Sequence, residues 1–338
     1  MNVTPIEWTT FSANPIKYRD ANGKTVWACV HHSPGCLHCY SETLAKRYGR
    51  GGPFNVPTTS KVTPFLDEKE LRQMLTAKRI GGQDVSGSRC FVGDMTDIFG
   101  EWVSDELLDQ LFAVFALRSD VTWQVLTKRA DRMREYLSYE YRWAQVEAAC
   151  DDLVGRSEAP ALATPERKSL PNVHLGVSCE DQQRADERIP MLLQTPAAVR
   201  FISAEPLLGS INLSRYFYGP SNWNPNLQLH WVIVGGESGS GARPCELEWI
   251  RAIVAQCESA DVACFVKQLG AVPGSWASPV NVSEAERQSW MRDGWTRVIS
   301  AAGESFTQHL RLKDRKGGDI SEWPKDLRVR QFPIQRIC

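Results

Sequence analysis

Six short apolar runs, each closing on a glycine or a polar residue, constrain this chain more than any other feature. Cys90–Val92 ends in Gly93-Asp94-Met95-Thr96-Asp97, Val121–Leu126 in Thr127-Lys128-Arg129, and Val173–Val177 in Ser178-Cys179-Glu180-Asp181. Val199–Ile202 ends in Ser203-Ala204-Glu205-Pro206, Trp231–Val234 in Gly235-Gly236-Glu237-Ser238-Gly239, and Cys264–Val266 in Lys267-Gln268. With Lys24–Ala28 as the first, seven strands are expected. The runs are mostly continuous rather than alternating, as in parallel strands buried on both faces. Helical spacing is predicted over Asp67–Lys78, Ser104–Leu117, Ala130–Leu137 with an extension through Tyr141–Cys150, Gln182–Ile189 ending before Pro190, and Glu246–Ala260. Only the Asn/Pro-rich stretch before Trp231 lacks it.

Alternating β and α segments imply parallel strands joined by right-handed crossovers. The expectation is an α/β fold, a partial TIM-type parallel (β/α) barrel of about six or seven strands with a C-terminal extension. A doubly wound open sheet is the alternative, although no G-x-G-x-x-G follows an early strand. A barrel of this type uses ~250 residues, so residues 1–270 are assigned to it and residues 271–338 to an extension packed on it. Residues 1–23 read as loop, with Trp8 and Phe11 packing, and Asp151–Pro171 as a surface insertion. In a parallel barrel the strand ends share one face, where sites are built. Asp94, Lys128, Arg129, Ser178, Glu180, Glu205, Glu237 and Lys267 are therefore expected in one ring.

A second feature sits ahead of that ring. Cys29, Cys36 and Cys39 form a C-x6-C-x2-C pattern on a Gly/Pro/Ser-rich loop, residues 29–40, and the other seven cysteines are dispersed. Three thiolates hold three irons of a cubane cluster and leave the fourth open. They also hold zinc if His31, His32 or His38 closes the site, but structural zinc usually draws two spaced ligand pairs, and here there is one. The strand-end ring offers the open iron a facing pocket, so spacing and context favour the cluster. Tyr40 is expected either beside it or as a core aromatic at a helix start.

Charge narrows the function classes. Lys and Arg number 39 against 40 Asp and Glu, for a net charge of −1. That disfavours a purely electrostatic nucleic-acid coat. The locally basic tail, Arg328, Arg330 and Arg336, reads as a solvated face. No apolar run of about 18 residues suits a membrane span, and the start lacks a signal-peptide pattern. The expected location is cytoplasmic, with no membrane partner.

A strand, a three-cysteine loop ending C-x-x-C-Tyr and a partial barrel resemble the radical S-adenosylmethionine (SAM) enzymes. More closely, the chain resembles the phage Gp37/Gp68 family, DUF5131. The matching pieces include Ile6-Glu7-Trp8-Thr9, Asn14-Pro15, Ser33–Tyr40, Leu126–Arg129, Gly176-Val177-Ser178, Ala204-Glu205-Pro206, Gly235–Gly239, Arg243-Pro244 and Lys267-Gln268. The resemblance implies a 4Fe–4S cluster on Cys29, Cys36 and Cys39 with SAM on the open iron, cleaved to a 5′-deoxyadenosyl radical that takes hydrogen from a substrate, a nucleic-acid base among the candidates. It places Gly93-Asp94 where relatives hold the methionine amine with Gly-Gly-Glu, here with Asp. Lys128 or Arg129 is then assigned the SAM carboxylate, Ser178 or Glu180 the ribose, and Glu237 the adenosine or substrate side. It also implies an electron donor such as flavodoxin or ferredoxin and a companion three-Cys-motif protein. The competing expectations are a zinc-stabilised, non-catalytic nucleic-acid-binding or scaffold protein, and a degenerate barrel that binds SAM without radical chemistry.

Overall fold

The strands form because their apolar residues find partners on both faces. In a computed structural model, which describes residues 1–164, 166–217, 228–277, 282–293, 295–300 and 303–333, seven parallel strands make one sheet. They are β1 (Phe11–Ala13), β2 (Arg89–Val92), β3 (Thr122–Thr127), β4 (Val173–Ser178), β5 (Val199–Ala204), β6 (Trp231–Gly235) and β7 (Ala263–Gln268). They lie side by side in chain order, and Asn2–Val3 adds an antiparallel eighth strand outside β1. The result is a mixed α/β protein with a curled, mostly parallel half-barrel sheet. Helices α1 (Tyr40–Arg47) and α2 (Glu68–Thr76) fall between β1 and β2, and α3 (Asp105–Leu117) between β2 and β3. Helices α4 (Ala130–Ser138) and α5 (Arg142–Val154) join β3 to β4, α6 (Gln182–Gln194) joins β4 to β5, and α7 (Leu247–Ser259) joins β6 to β7.

Alternation along each strand separates two cores. Val92, Val125, Val177, Ala204, Val234 and Val266 pack with helix residues such as Leu111, Ile189 and Ile250. The intervening Phe91, Phe201, Trp231, Ile233 and Phe265 face the other way and cluster with Trp8. Trp8 lies 4.8 Å from Phe91 and 6.0 Å from Trp231 between ring centroids. Phe332 closes on Trp231 at 5.6 Å, and the Arg89 guanidinium lies 3.9 Å from the Phe332 ring centroid. On the same face Gln124 and His174 are register neighbours on β3 and β4. Both are buried, and neither side chain has a hydrogen-bond partner among the described residues.

The structure corrects several expectations. The first parallel strand is Phe11–Ala13, not Lys24–Ala28, and residues 1–23 are not simply loop. Thr25–Val26 instead pairs antiparallel with Ile16–Arg19, which also pairs with Thr63–Leu66 in a small separate sheet. The β1 segment is three residues with a half-buried Ser12 between Phe11 and Ala13, too short to show a period. Helix α6 runs on through Pro190. A proline inside a helix costs about 3 kcal/mol. Burial of Leu192 and Leu193 beyond it contributes about 1.5–3 kcal/mol each and outweighs that cost.

The described part of the tail packs on the sheet, with Arg328 exposed and Arg330 half-buried. Gln331 N–H donates to Cys264 O and Val266 N–H to Val329 O, both at 2.8 Å, so this segment covers the open edge of β7. Arg328 donates to the carbonyls of Ser321 and Trp323, and Arg330 lies over the rings of Phe265 and Trp323. Arg336 lies outside the described residues, as does most of the Asn/Pro-rich stretch before Trp231. Pro273–Ala277, Thr296–Ser300 and Gly303–His309 form a further sheet, which Cys245–Glu246 joins. Among the described residues, no helix is long and apolar enough to cross a membrane.

Candidate functional site

The cysteine loop is fastened to the C-terminal ends of the parallel strands by side chains from four of them. At the end of β2, Gly93 turns the chain at φ +87°, where an added Cβ would lie 2.7 Å from the Ile98 side chain. Asp94 follows. Its carbonyl accepts from the hydroxyls of Tyr40 and Ser41, each at 2.7 Å, and its carboxylate accepts from the Asn14 amide and, at 3.3 Å, from Tyr40. Tyr40 is thus no core aromatic: it is half exposed, and its hydroxyl pins the start of α1 to β2. Burial raises the Asp94 pKa, against the bonds from Asn14 and Tyr40.

At β3, two cations differ in role. Gln124 and Leu126 lie on the inner face of β3, while Lys128 and Arg129 follow its last residue and Arg129 turns to the loop. Its guanidinium pairs with Asp97 at 3.2 Å and Glu101 at 3.0 Å and donates to Val30 O at 3.0 Å, gripping the loop beside Cys29. Thr96 and Thr59 hydroxyls hold the carbonyls of Ala28 and Cys29 at 2.8 and 2.9 Å. The Lys128 ammonium forms no contact ion pair among the described residues, but its charge acts on the Glu180 carboxylate.

Glu180, after β4, is fully buried. One oxygen accepts the Gly35 N–H at 3.1 Å, and the other pairs with Arg188 at 3.0 Å. Burial pushes this carboxyl up, but the charges of Lys128 and Arg188 outweigh it, and its pKa is lowered. A Cβ on Gly35 would sit 3.1 Å from the Glu180 carboxyl, so any larger residue there would press on that buried carboxylate. Ser178, also buried, offers its carbonyl to Arg188 at 2.7 Å.

At β6, Glu237 accepts from Arg243 at 2.6 Å and pairs with His38 Nδ1 at 3.0 Å, while Arg243 also donates to Pro34 O at 2.9 Å. Burial opposes ionisation of Glu237, yet the Arg243 and His38 contacts hold its pKa near 2. Glu205, after β5, pairs with Lys267, near the end of β7, at 3.1 Å and accepts from Ser203. Asp94, Arg129, Glu180 and Glu237 therefore touch the loop or its helix directly, whereas Glu205 and Lys267 pair with each other across the ring. Sequence reasoning missed the chemical roles of Asn14, Asp97, Arg188, Arg243 and His38. Two of them, Asn14 and Arg243, carried a signal in their Asn-Pro and Arg-Pro pairs.

The three thiols are free and half-buried. Cys36 Sγ accepts the His32 N–H at 3.5 Å, and Cys29 Sγ faces Val30 O at 3.8 Å. Burial, aided by the Asp97 charge, pushes the Cys29 thiol up to about 12, and burial also raises Cys39. Cys39 acts electrostatically on Cys29, and Cys36 on Cys39, so the thiols are neighbours. Among the described residues, no three His, Cys, Asp or Glu side chains already converge as a metal site. The donor set fits an iron–sulfur cluster by chemistry: three soft thiols on one fastened loop, whose sulfurs must turn from backbone partners to meet. Of the histidines weighed for zinc, His31 pairs with Glu42 at 2.8 Å and His38 with Glu237.

A family model described as "Protein of unknown function (DUF5131)" matches residues 4–302. No curated protein and no solved structure matches the chain.

Proposed function

The chain belongs to the DUF5131 family, and from the site we propose an iron–sulfur enzyme of the radical SAM type, akin to the phage Gp37/Gp68 proteins, working in the cytoplasm on a partial TIM-type barrel. One observation carries this reading. Four strand ends spend their charges on holding a three-cysteine loop over the ring, an arrangement that a merely structural loop does not need. Cys29, Cys36 and Cys39 would hold a 4Fe–4S cluster. When reduced by a donor such as flavodoxin or ferredoxin, that cluster with SAM supplies a 5′-deoxyadenosyl radical for hydrogen abstraction.

The rest falls to the chain's own residues. Lys128, whose charge also acts on Glu180, is the group to bind the SAM carboxylate, and Arg129 holds the loop at Val30. Asp94, with its raised pKa, stands nearest α1 to accept the amine. Glu205 with Lys267, and Ser178 beside the buried Glu180, line the remaining ring and orient the nucleoside. The Trp8, Trp231 and Phe332 cluster excludes water from the inner face below.

Anaerobic reconstitution with iron and sulfide tests this. The expected result is a brown protein that bleaches with dithionite, releases 5′-deoxyadenosine from SAM, and loses its colour in Cys36→Ala. Stoichiometric zinc without colour, or a chromophore that survives Cys36→Ala, overturns it. A chromophore without SAM cleavage overturns the radical step.

A further inference from the structure

Residues 21–62, which surround the cysteine loop, contain a single carboxylate, Glu42, against Lys24, Lys46, Arg47, Arg50 and Lys61. In a chain with balanced charge this is a local excess. Glu42 is buried, paired with His31 and Lys46, and accepts from Phe54 N–H, so no carboxylate within the segment is exposed, while Asp20 just ahead of it accepts from the Asn22 and Lys24 N–H groups. Folding gathers four of the bases at one end of α1. Lys24 Nζ donates to Gly49 O at 2.7 Å, Trp27 N–H to Arg50 O at 2.6 Å, and Arg50 N–H to Ala45 O at 2.8 Å. Those bonds set Lys24 and Arg50 beside Lys46 and Arg47. Tyr48 stands among them, 68% exposed. Arg47 and Arg50 form no ion pair among the described residues. Helix α1 starts next to Cys39 and rises ~1.5 Å per residue, so this face begins about 12 Å from the loop.

The attraction of cations to a helix C-terminus accounts for Lys46 and Arg47. It does not account for Lys24, Arg50 or an exposed tyrosine between them. Basic groups around an exposed ring are the chemistry that binds a nucleic-acid strand, through phosphates and a stacked base. We propose that this face binds a single-stranded nucleic acid, with Tyr48 stacking one base and Lys24, Arg47 and Arg50 holding phosphates. Delivery of a base to the ring as substrate rests on the cluster reading above; the binding itself does not.

The test is fluorescence anisotropy of a labelled oligothymidylate with the full chain, as purified and after reconstitution. Binding is expected to weaken steeply with salt, and Lys24→Glu/Arg47→Glu/Arg50→Glu to flatten the log–log salt slope by about 2. Tyr48→Ala should lose about tenfold and Tyr48→Phe almost nothing. Iron content should stay at the parent level in each variant. Absent binding, parent-like binding by the triple variant, or equal binding of polyglutamate overturns the inference, the last in favour of an acidic protein. A chain that binds the oligonucleotide but takes up no iron loses the cluster and keeps this face; the reverse result loses this face alone.

Discussion

Two ion-pair networks in this protein use the same kinds of side chain for different ends. On the outer helices, Arg142 of α5 pairs with Asp105 and Asp109 of α3 and lies over the Tyr136 ring of α4, whose hydroxyl donates to Asp109. Arg132 joins at Asp105. These groups mostly answer one another, and they join helices adjacent in the chain. In the cysteine-loop network, Arg129, Glu180 and Arg243 each place at least one hydrogen bond on the loop's own backbone, at Val30, Gly35 and Pro34. Those contacts reach across 99, 145 and 209 positions. The first network locks a scaffold. The second fixes a short loop that has almost no core of its own, which is what a site requires.

Removing one arginine from each should separate them most clearly. Arg188→Ala strands the buried Glu180 charge, and Arg142→Ala strands Asp109. Each is expected to cost about 3–5 kcal/mol in denaturant unfolding. Only Arg188→Ala should also lower iron uptake on reconstitution, and equal iron loss in both would erase the distinction.

Acid separates the loop from the interior. His174 is held near 4 by burial, below its ordinary 6.5. Its folded pKa is depressed, so the unfolded chain binds more protons below 6.5. Stability is whole above that pH and falls by about 3 kcal/mol as pH drops to about 4. Glu237, with a folded pKa near 2, contributes above its ordinary 4.5 and loses that contribution only as pH falls towards 2. A urea midpoint measured against pH should therefore decline first through the His174 window, and His174→Phe should remove that decline. A flat profile in the parent would contradict the burial of an unpaired histidine.

Gly35→Ala is a subtler probe of the loop. Its new methyl would meet the Glu180 carboxyl at 3.1 Å, with an expected cost of about 1–3 kcal/mol and slower iron uptake. Arg243→Lys is the smallest change. It keeps the charge on Glu237 but loses the fork that also reaches Pro34 O, for about 1 kcal/mol, read as a small shift in thermal midpoint.

The sequence exposed β2 through β7 because continuous apolar runs need both faces covered, and it exposed the strand-end charges as a set for the same reason. It hid β1, whose three residues carry no period, and it hid the helix beyond Pro190, where packing overrides a local breaker. Which charge meets which was hidden further. The split between Lys128 and Arg129, of which only Arg129 grips the loop, falls just past the end of β3, where strand alternation no longer applies. The meetings of Gly35 with Glu180 and His38 with Glu237 depend on how far the sheet curls, and no local pattern records that.

The seal of the inner face has a consequence in time. Trp8 meets Phe91 and Trp231, and Phe332 meets Trp231 and Phe265. Trp8 must find Phe201 on β5 and Trp231 on β6, and Trp231 and Phe265 must find Phe332, each far along the chain. Contacts so distant in sequence carry a large loop-closure cost and form slowly. Closing the inner face is therefore expected to be a late event in folding, because it joins segments so far apart in sequence.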